Sequence, residues 1–132
     1  MSLVIDSGIF IAYESQADEN HLVAKELFKR IEKDEFGSIF LLDYVFDEVL
    51  TQIASRRGKN RAVAAGKWLM ASEMDLHFIS SAVFEAAWQI FQKSSELSFT
   101  DCVIAAFARE KNAAIATFDG HFAQFKDLRI IS

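Results

Sequence analysis

The chain has 132 residues, 52% hydrophobic and 25% charged, the size and composition of one globular domain spanning 1–132 with a sizeable core. Its net charge of −5 excludes the broad basic surface of a typical high-affinity DNA binder. The single Cys102 excludes an internal disulfide and a Cys-rich zinc site, and no uncharged apolar run approaches the ~18 residues a membrane helix needs.

Residues 2–6 (SLVID) read as a first strand that exits into a carboxylate. Burying an unpaired charge is costly, so Asp6 is either the cap of the helix that follows or a functional acid. Residues 20–34 carry Leu22, Leu27, Phe28 and Ile31 among charges, the pattern of an amphipathic helix. Residues 38–42 (SIFLL) are a weak second strand. From 44 to 56, Phe46, Val49, Leu50 and Ile53 follow helical spacing, and Glu48 stands at the edge of that apolar stripe. Asp47 is its neighbour; the Val49-Leu50 pair that follows favours Glu48 as the inward acid.

The segment 55–61 (SRRGKNR) is the densest basic stretch. Arg56, Arg57, Lys59 and Arg61 suit contact with a phosphate backbone, or equally a solvated helix end whose dipole favours cations. Residues 60–73 form an Ala-rich helix, and 76–80 (LHFIS) a third strand. A helix over 82–94 carries Val83, Phe84, Ala87, Trp88 and Phe91. The helical spacing of Trp68, Trp88 and the phenylalanines points to core or a dimer face ahead of base stacking. Residues 98–101 (SFTD) have the form of a capping box that opens a helix to about 111. Residues 113–117 (AAIAT) are strand four, Asp119-Gly120 a turn, and 128–131 (LRII) strand five. His21, His77 and His121 lack the spacing of a zinc site; His121, close to Asp119, reads as structural or solvent-facing ahead of touching substrate.

Strands alternating with helices predict an α/β domain with a parallel sheet covered on both faces. Ligands of such sheets bind beyond the carboxyl ends of the strands, where strand order reverses. If strands one and four are neighbours there, Asp6 and Asp119 face one crevice, and Asp101 and Glu48 can reach it. Each acid alone has a structural reading as cap, turn or solvated residue. Together they would repel, by about 4 kcal/mol for a pair ~4 Å apart at an effective dielectric near 20. A hard divalent ion, Mg²⁺ or Mn²⁺, relieves that repulsion, and such clusters carry metal-assisted phosphodiester hydrolysis, the metal activating a water.

The segments VIDSGIFIA (4–12), DEVLTQ (47–52), LSFTDCVIAAFA (97–108) and ATFDGHF (116–122) resemble, in order and spacing, the four motifs of the PIN-domain ribonucleases, most of all the VapC-type toxins of toxin–antitoxin pairs. The resemblance implies a three-layer α/β/α fold around a central parallel sheet of about five strands. It implies Mg²⁺- or Mn²⁺-dependent cleavage of RNA, with Asp6, Glu48, Asp101 and Asp119 as catalytic metal ligands and Ser7 and Thr117 as partners that orient them. It further implies a homodimer silenced by a small antitoxin. No signal-peptide pattern opens the chain, so a cytoplasmic location and no membrane partner are expected. Two other readings are a non-catalytic protein-binding scaffold of the same fold and a receiver-like Mg²⁺-binding signalling module. The second is weak, because no paired acid accompanies Asp6 and no late-strand Lys is present.

Overall fold

The computed structural model describes residues 1–132. Its centre is a five-stranded, wholly parallel sheet built from β1 (Ser2–Ile5), β2 (Ser38–Leu42), β3 (Asp75–His77), β4 (Ala114–Ala116) and β5 (Ile130–Ile131), in the order β3-β2-β1-β4-β5. Leu3, Val4 and Ile5 are fully buried, as expected of a central strand covered on both faces. The helices are α1 (Ser7–Glu14), α2 (His21–Glu32), α3 (Asp43–Arg57), α4 (Lys59–Ala71), α5 (Ser81–Lys93) and α6 (Phe99–Lys111). Helices α1 to α4 pack on one another in one layer, and α5 packs on α6 in the other. This is the expected three-layer α/β/α arrangement.

Chain order explains the reversal in the sheet. The first two crossovers step outward from β1 to β2 and then β3; the third returns past both to place β4 on the free side of β1. The residues that follow β1 and β4 therefore stand side by side. Helix α6 runs through the core, with every residue from Cys102 to Ala108 buried. It begins with a capping box and ends at Asn112 in the left-handed region (φ 53°), a conformation that Asn tolerates. Gly37 is also left-handed (φ 70°), and a Cβ there would lie 2.2 Å from the Met1 carbonyl oxygen, so the turn into β2 requires glycine.

The structure trims the two edge strands. Residues 78–80 do not continue β3: the Ile79 N–H turns to Asp43 Oδ1 (3.4 Å), and Ser80 caps α5 by accepting from Val83 N–H (3.2 Å). Phe78 is consequently 72% exposed. Leu128 is held in a turn by donation to the Phe125 carbonyl (3.2 Å), which leaves β5 two residues. The turn read at Asp119-Gly120 opens a 3-10 helix, Gly120–Gln124, that buries Phe122. The apolar residues of α5 are core only in part: Val83 and Ala87 are buried, whereas the aromatic Phe84, Trp88 and Phe91 are exposed along the outer face. No helix is long and apolar enough to cross a membrane.

Candidate active site

The buried charged and polar residues of the whole chain are Asp6, Ser7 and Thr117, at 6%, 4% and 2% exposure. All three lie at one place, just past the carboxyl ends of β1 and β4. The Asp6 N–H donates to the Ala116 carbonyl (2.9 Å), extending the β1–β4 ladder by one bond. The Asp6 side chain then does two things. Its Oδ1 accepts from Ser7 N–H (2.8 Å) as the cap of α1, and its Oδ2 accepts from the Thr117 hydroxyl (2.7 Å). The structural and the functional readings of Asp6 are therefore compatible.

The other acids arrive on separate elements. Glu48 lies on the second turn of α3, half-buried, and accepts from the Ser7 hydroxyl through Oε1. Asp47 is exposed, because the helix turns it away from the layer that α3 packs against. Asp101 occupies the first turn of α6, with its N–H donating to Ser98 Oγ (3.1 Å) and its Oδ2 accepting from Ser98 N–H (3.1 Å). Asp119 is held by donation from its own N–H to Thr117 Oγ1 (2.9 Å) and caps the 3-10 helix by accepting His121 N–H at Oδ1 (2.9 Å). Thr117 thus donates to one acid and accepts from another. Glu48, Asp101 and Asp119 each commit one carboxylate oxygen to these bonds and leave the second without a protein donor.

The acids sense one another. Burial, with smaller contributions from the charges of Asp101 and Glu48, raises the Asp6 carboxyl to about 6 against the lowering effect of its Thr117 and Ser7 hydrogen bonds. Burial also raises Asp101, opposed by its bonds to Ser98 and reinforced by the charges of Asp119 and Glu48. No three ligating side chains close into a ready-made cage. All four donors are carboxylates, hard oxygen ligands, and Mg²⁺ is commonly held through one or two carboxylates while keeping several waters. The donor chemistry and the free oxygens fit such an ion.

The basic segment is not brought to the acids. Arg56 lies eight residues along α3 from Glu48, about 12 Å at 1.5 Å per residue, at the other end of the helix. Arg61 pairs with Glu14 (3.0 Å), and Arg57 reaches Glu14 (3.8 Å) and Ser15 (3.2 Å). These two arginines tie the end of α1 to the α3–α4 corner, while Arg56 and Lys59 are exposed. His121 does reach the site: its Nδ1 is 3.1 Å from Asp119 Oδ1, and its Nε2 is 3.5 Å from Glu96 Oε2. The sequence signals only its closeness to Asp119; the contact with Glu96, 25 positions away, depends on the tertiary fold. Cys102 is buried in the core.

Comparisons with known proteins agree with this architecture. The family model of the PIN domain matches residues 3–128. A VapC ribonuclease from Archaeoglobus fulgidus is 22% identical over 130 residues, covering 93% of this chain and 80% of that protein. The crystal structure of Mycobacterium tuberculosis VapC20, a sarcin-ricin loop cleaving toxin, superposes with a TM-score of 0.82 at 23% identity, covering 93% of this chain and 94% of that one. VapBC-1 from nontypeable Haemophilus influenzae gives a TM-score of 0.73 at 14% identity, covering 100% and 98%.

Proposed function

The chain belongs to the PIN-domain family, and on that premise we propose that it is a Mg²⁺- or Mn²⁺-dependent endoribonuclease, the toxin of a VapBC-type pair. The observation that carries the reading is the concentration of the chain's buried polar side chains at Asp6, Ser7 and Thr117, with three further acids facing them. A buried core acid that served only as a helix cap would not call for company of its own sign. The similarity to a VapC ribonuclease and to toxins solved with or without their antitoxins supports the same reading.

In this reading Asp6, Glu48, Asp101 and Asp119 hold the cation. When bound, the ion supplies Lewis-acid stabilisation of the phosphate's developing charge and lowers the pKa of the attacking water. The protein's part is to keep the carboxylates apart and aimed. Ser7 fixes Asp6 through its N–H and Glu48 through its hydroxyl, Thr117 fixes Asp6 and the Asp119 backbone, and the capping box fixes Asp101. Exposed Arg56 and Lys59, at the α3–α4 corner, extend the RNA path as phosphate contacts at a distance from the cut; Arg57 and Arg61, already paired with Glu14, contribute through the same corner.

Cleavage of a labelled RNA panel tests the reading. Cutting is expected with Mg²⁺ or Mn²⁺, and none with EDTA. Metal-independent cutting would overturn the mechanism, and no cutting by folded, partner-free protein would favour the scaffold alternative.

The protein is proposed to work as a homodimer bound by a small antitoxin. The observation favouring the dimer is the exposed stripe Phe84, Trp88 and Phe91 on α5, spaced i, i+4, i+7 on one face. Sedimentation of the purified chain is expected to give twice the 14.9 kDa chain mass, reduced to one mass in Trp88→Asp; a wild-type monomer at micromolar concentration would remove the dimer.

A further inference from the structure

We propose that His121 is a positioning residue that aims the free oxygen of Asp119 into the acidic crevice, an inference that rests on the reading of Asp119 as a metal ligand. Asp119 Oδ1 has two neighbours from the same residue, the His121 N–H at 2.9 Å and the His121 Nδ1 at 3.1 Å. The backbone N–H fixes the height of Oδ1, and the imidazole standing against the same oxygen obstructs rotation of the carboxylate, so Oδ2 points away from both. A single backbone donor, as in an ordinary capped turn, leaves the carboxylate free to rotate about its χ2 torsion, which is broad and roughly two-fold.

The imidazole lies between two carboxylates. Its Nε2 faces Glu96 Oε2 at 3.5 Å. Glu96 belongs to the loop between α5 and α6, whose backbone is fixed by donation from Glu96 N–H and Leu97 N–H to Ser94 Oγ (3.4 and 3.2 Å). That loop leads into Ser98 and the capping box of Asp101. The row Glu96, His121, Asp119 therefore joins the segment that delivers Asp101 to the segment that delivers Asp119. Glu48 and Asp6 have their common tie in Ser7; His121 links Asp119 to Glu96, in the segment that leads to Asp101. Carboxylate-to-imidazole contacts that orient a metal ligand are worth about 10–100-fold in metal affinity. His121 is half-exposed, so the lower end of that range is expected.

The test is Mn²⁺ binding to the full chain, read as loss of the free-ion EPR signal, for wild type, His121→Ala and His121→Asn. Asn places its amide group where Nδ1 stands, and so keeps a polar contact with Asp119 Oδ1 without the ring. His121→Ala is expected to bind Mn²⁺ about tenfold more weakly, and His121→Asn to recover most of the loss. Melting in EDTA, expected to be alike for the three, confirms that the half-exposed position is not supporting the fold. Unchanged affinity in His121→Ala overturns the inference and leaves the metal site standing. Equal weakening in both variants also overturns it, because the contact at Asp119 Oδ1 would then not be the active feature. Failure of wild type to bind Mn²⁺ overturns the inference and the metal-site reading together.

Discussion

Asp6→Asn is expected to lose RNA cleavage by about a thousandfold while the metal-free protein becomes more stable. The loss follows from the removal of a central carboxylate: several kcal/mol of charge stabilisation are at stake in such sites, and about 4 kcal/mol corresponds to a factor of ~10³. The gain in stability follows from the same burial that makes Asp6 unusual. Its carboxyl is raised from 3.8 to about 6, first by desolvation, so the ionised form is penalised in the native state by up to about 3 kcal/mol. Asn keeps the acceptor for Ser7 N–H and offers an N–H towards Thr117 Oγ1, so the cap of α1 survives.

The sign fixes the pH window. Below pH ~4 the carboxyl is protonated folded and unfolded, and it costs nothing. Between about 4 and 6 the native state holds a proton that the unfolded chain releases, so wild-type stability falls as pH rises through the native pKa of about 6. Above that the penalty is complete. The melting temperature of Asp6→Asn in EDTA should therefore exceed that of wild type at pH 7.5, by up to roughly 10 °C for a domain of this size, and the two should converge near pH 4. Adding Mg²⁺ should raise the wild type alone. A wild type more stable than Asp6→Asn in EDTA at pH 7.5 would show that Asp6 is a structural acid and remove the main reason for placing an ion beside it.

What could be read from the chain and what could not divides along sequence distance. The alternation of apolar runs and helical stripes was enough for the layers and the parallel sheet, because each depends on a local period. The crevice required one conditional step, that β1 and β4 be neighbours, and they are. The capping box at Ser98–Asp101 was legible as a local pattern, and the two readings of Asp101, as cap and as crevice acid, are compatible, since the cap takes one oxygen and leaves the other without a protein donor. The choice between Asp47 and Glu48 was half-legible: the stripe pointed to Glu48, and the structure turns Asp47 to solvent and Glu48 to Ser7. The ends of β3 and β5 were not legible, because Ile79 and Leu128 leave the sheet for partners in other turns. Nor was the pairing of Arg57 and Arg61 with Glu14, across more than forty positions; a run of cations reads as free until the fold supplies the acid. The His121 row belongs to the same class.

Thr117→Val is expected to have the second-largest effect, because one hydroxyl serves two acids. Thr117 is 2% exposed and donates to Asp6 Oδ2 while accepting from Asp119 N–H. Valine preserves the shape and removes both bonds. A buried carboxylate oxygen and a backbone N–H then lose their partners, at about 1–3 kcal/mol for each group left unsatisfied. The Thr117 bond also lowers the Asp6 carboxyl, so its loss moves that carboxyl further above its present value of about 6. Protons then compete with the cation over a wider range: the acid limb of the cleavage profile shifts to higher pH, and the Mg²⁺ concentration needed for half-maximal cutting rises, by about 10–100-fold where an orienting partner is lost. Thr117→Ser keeps the hydroxyl and should restore both the pH limb and the Mg²⁺ requirement, although it gives up a buried methyl. Cleavage profiles of wild type, Thr117→Val and Thr117→Ser across pH 5–8 and a Mg²⁺ series read this directly. A Thr117→Val protein that melts lower but cuts with the wild-type pH limb would assign the hydroxyl to folding alone and place the orientation of Asp6 with Ser7.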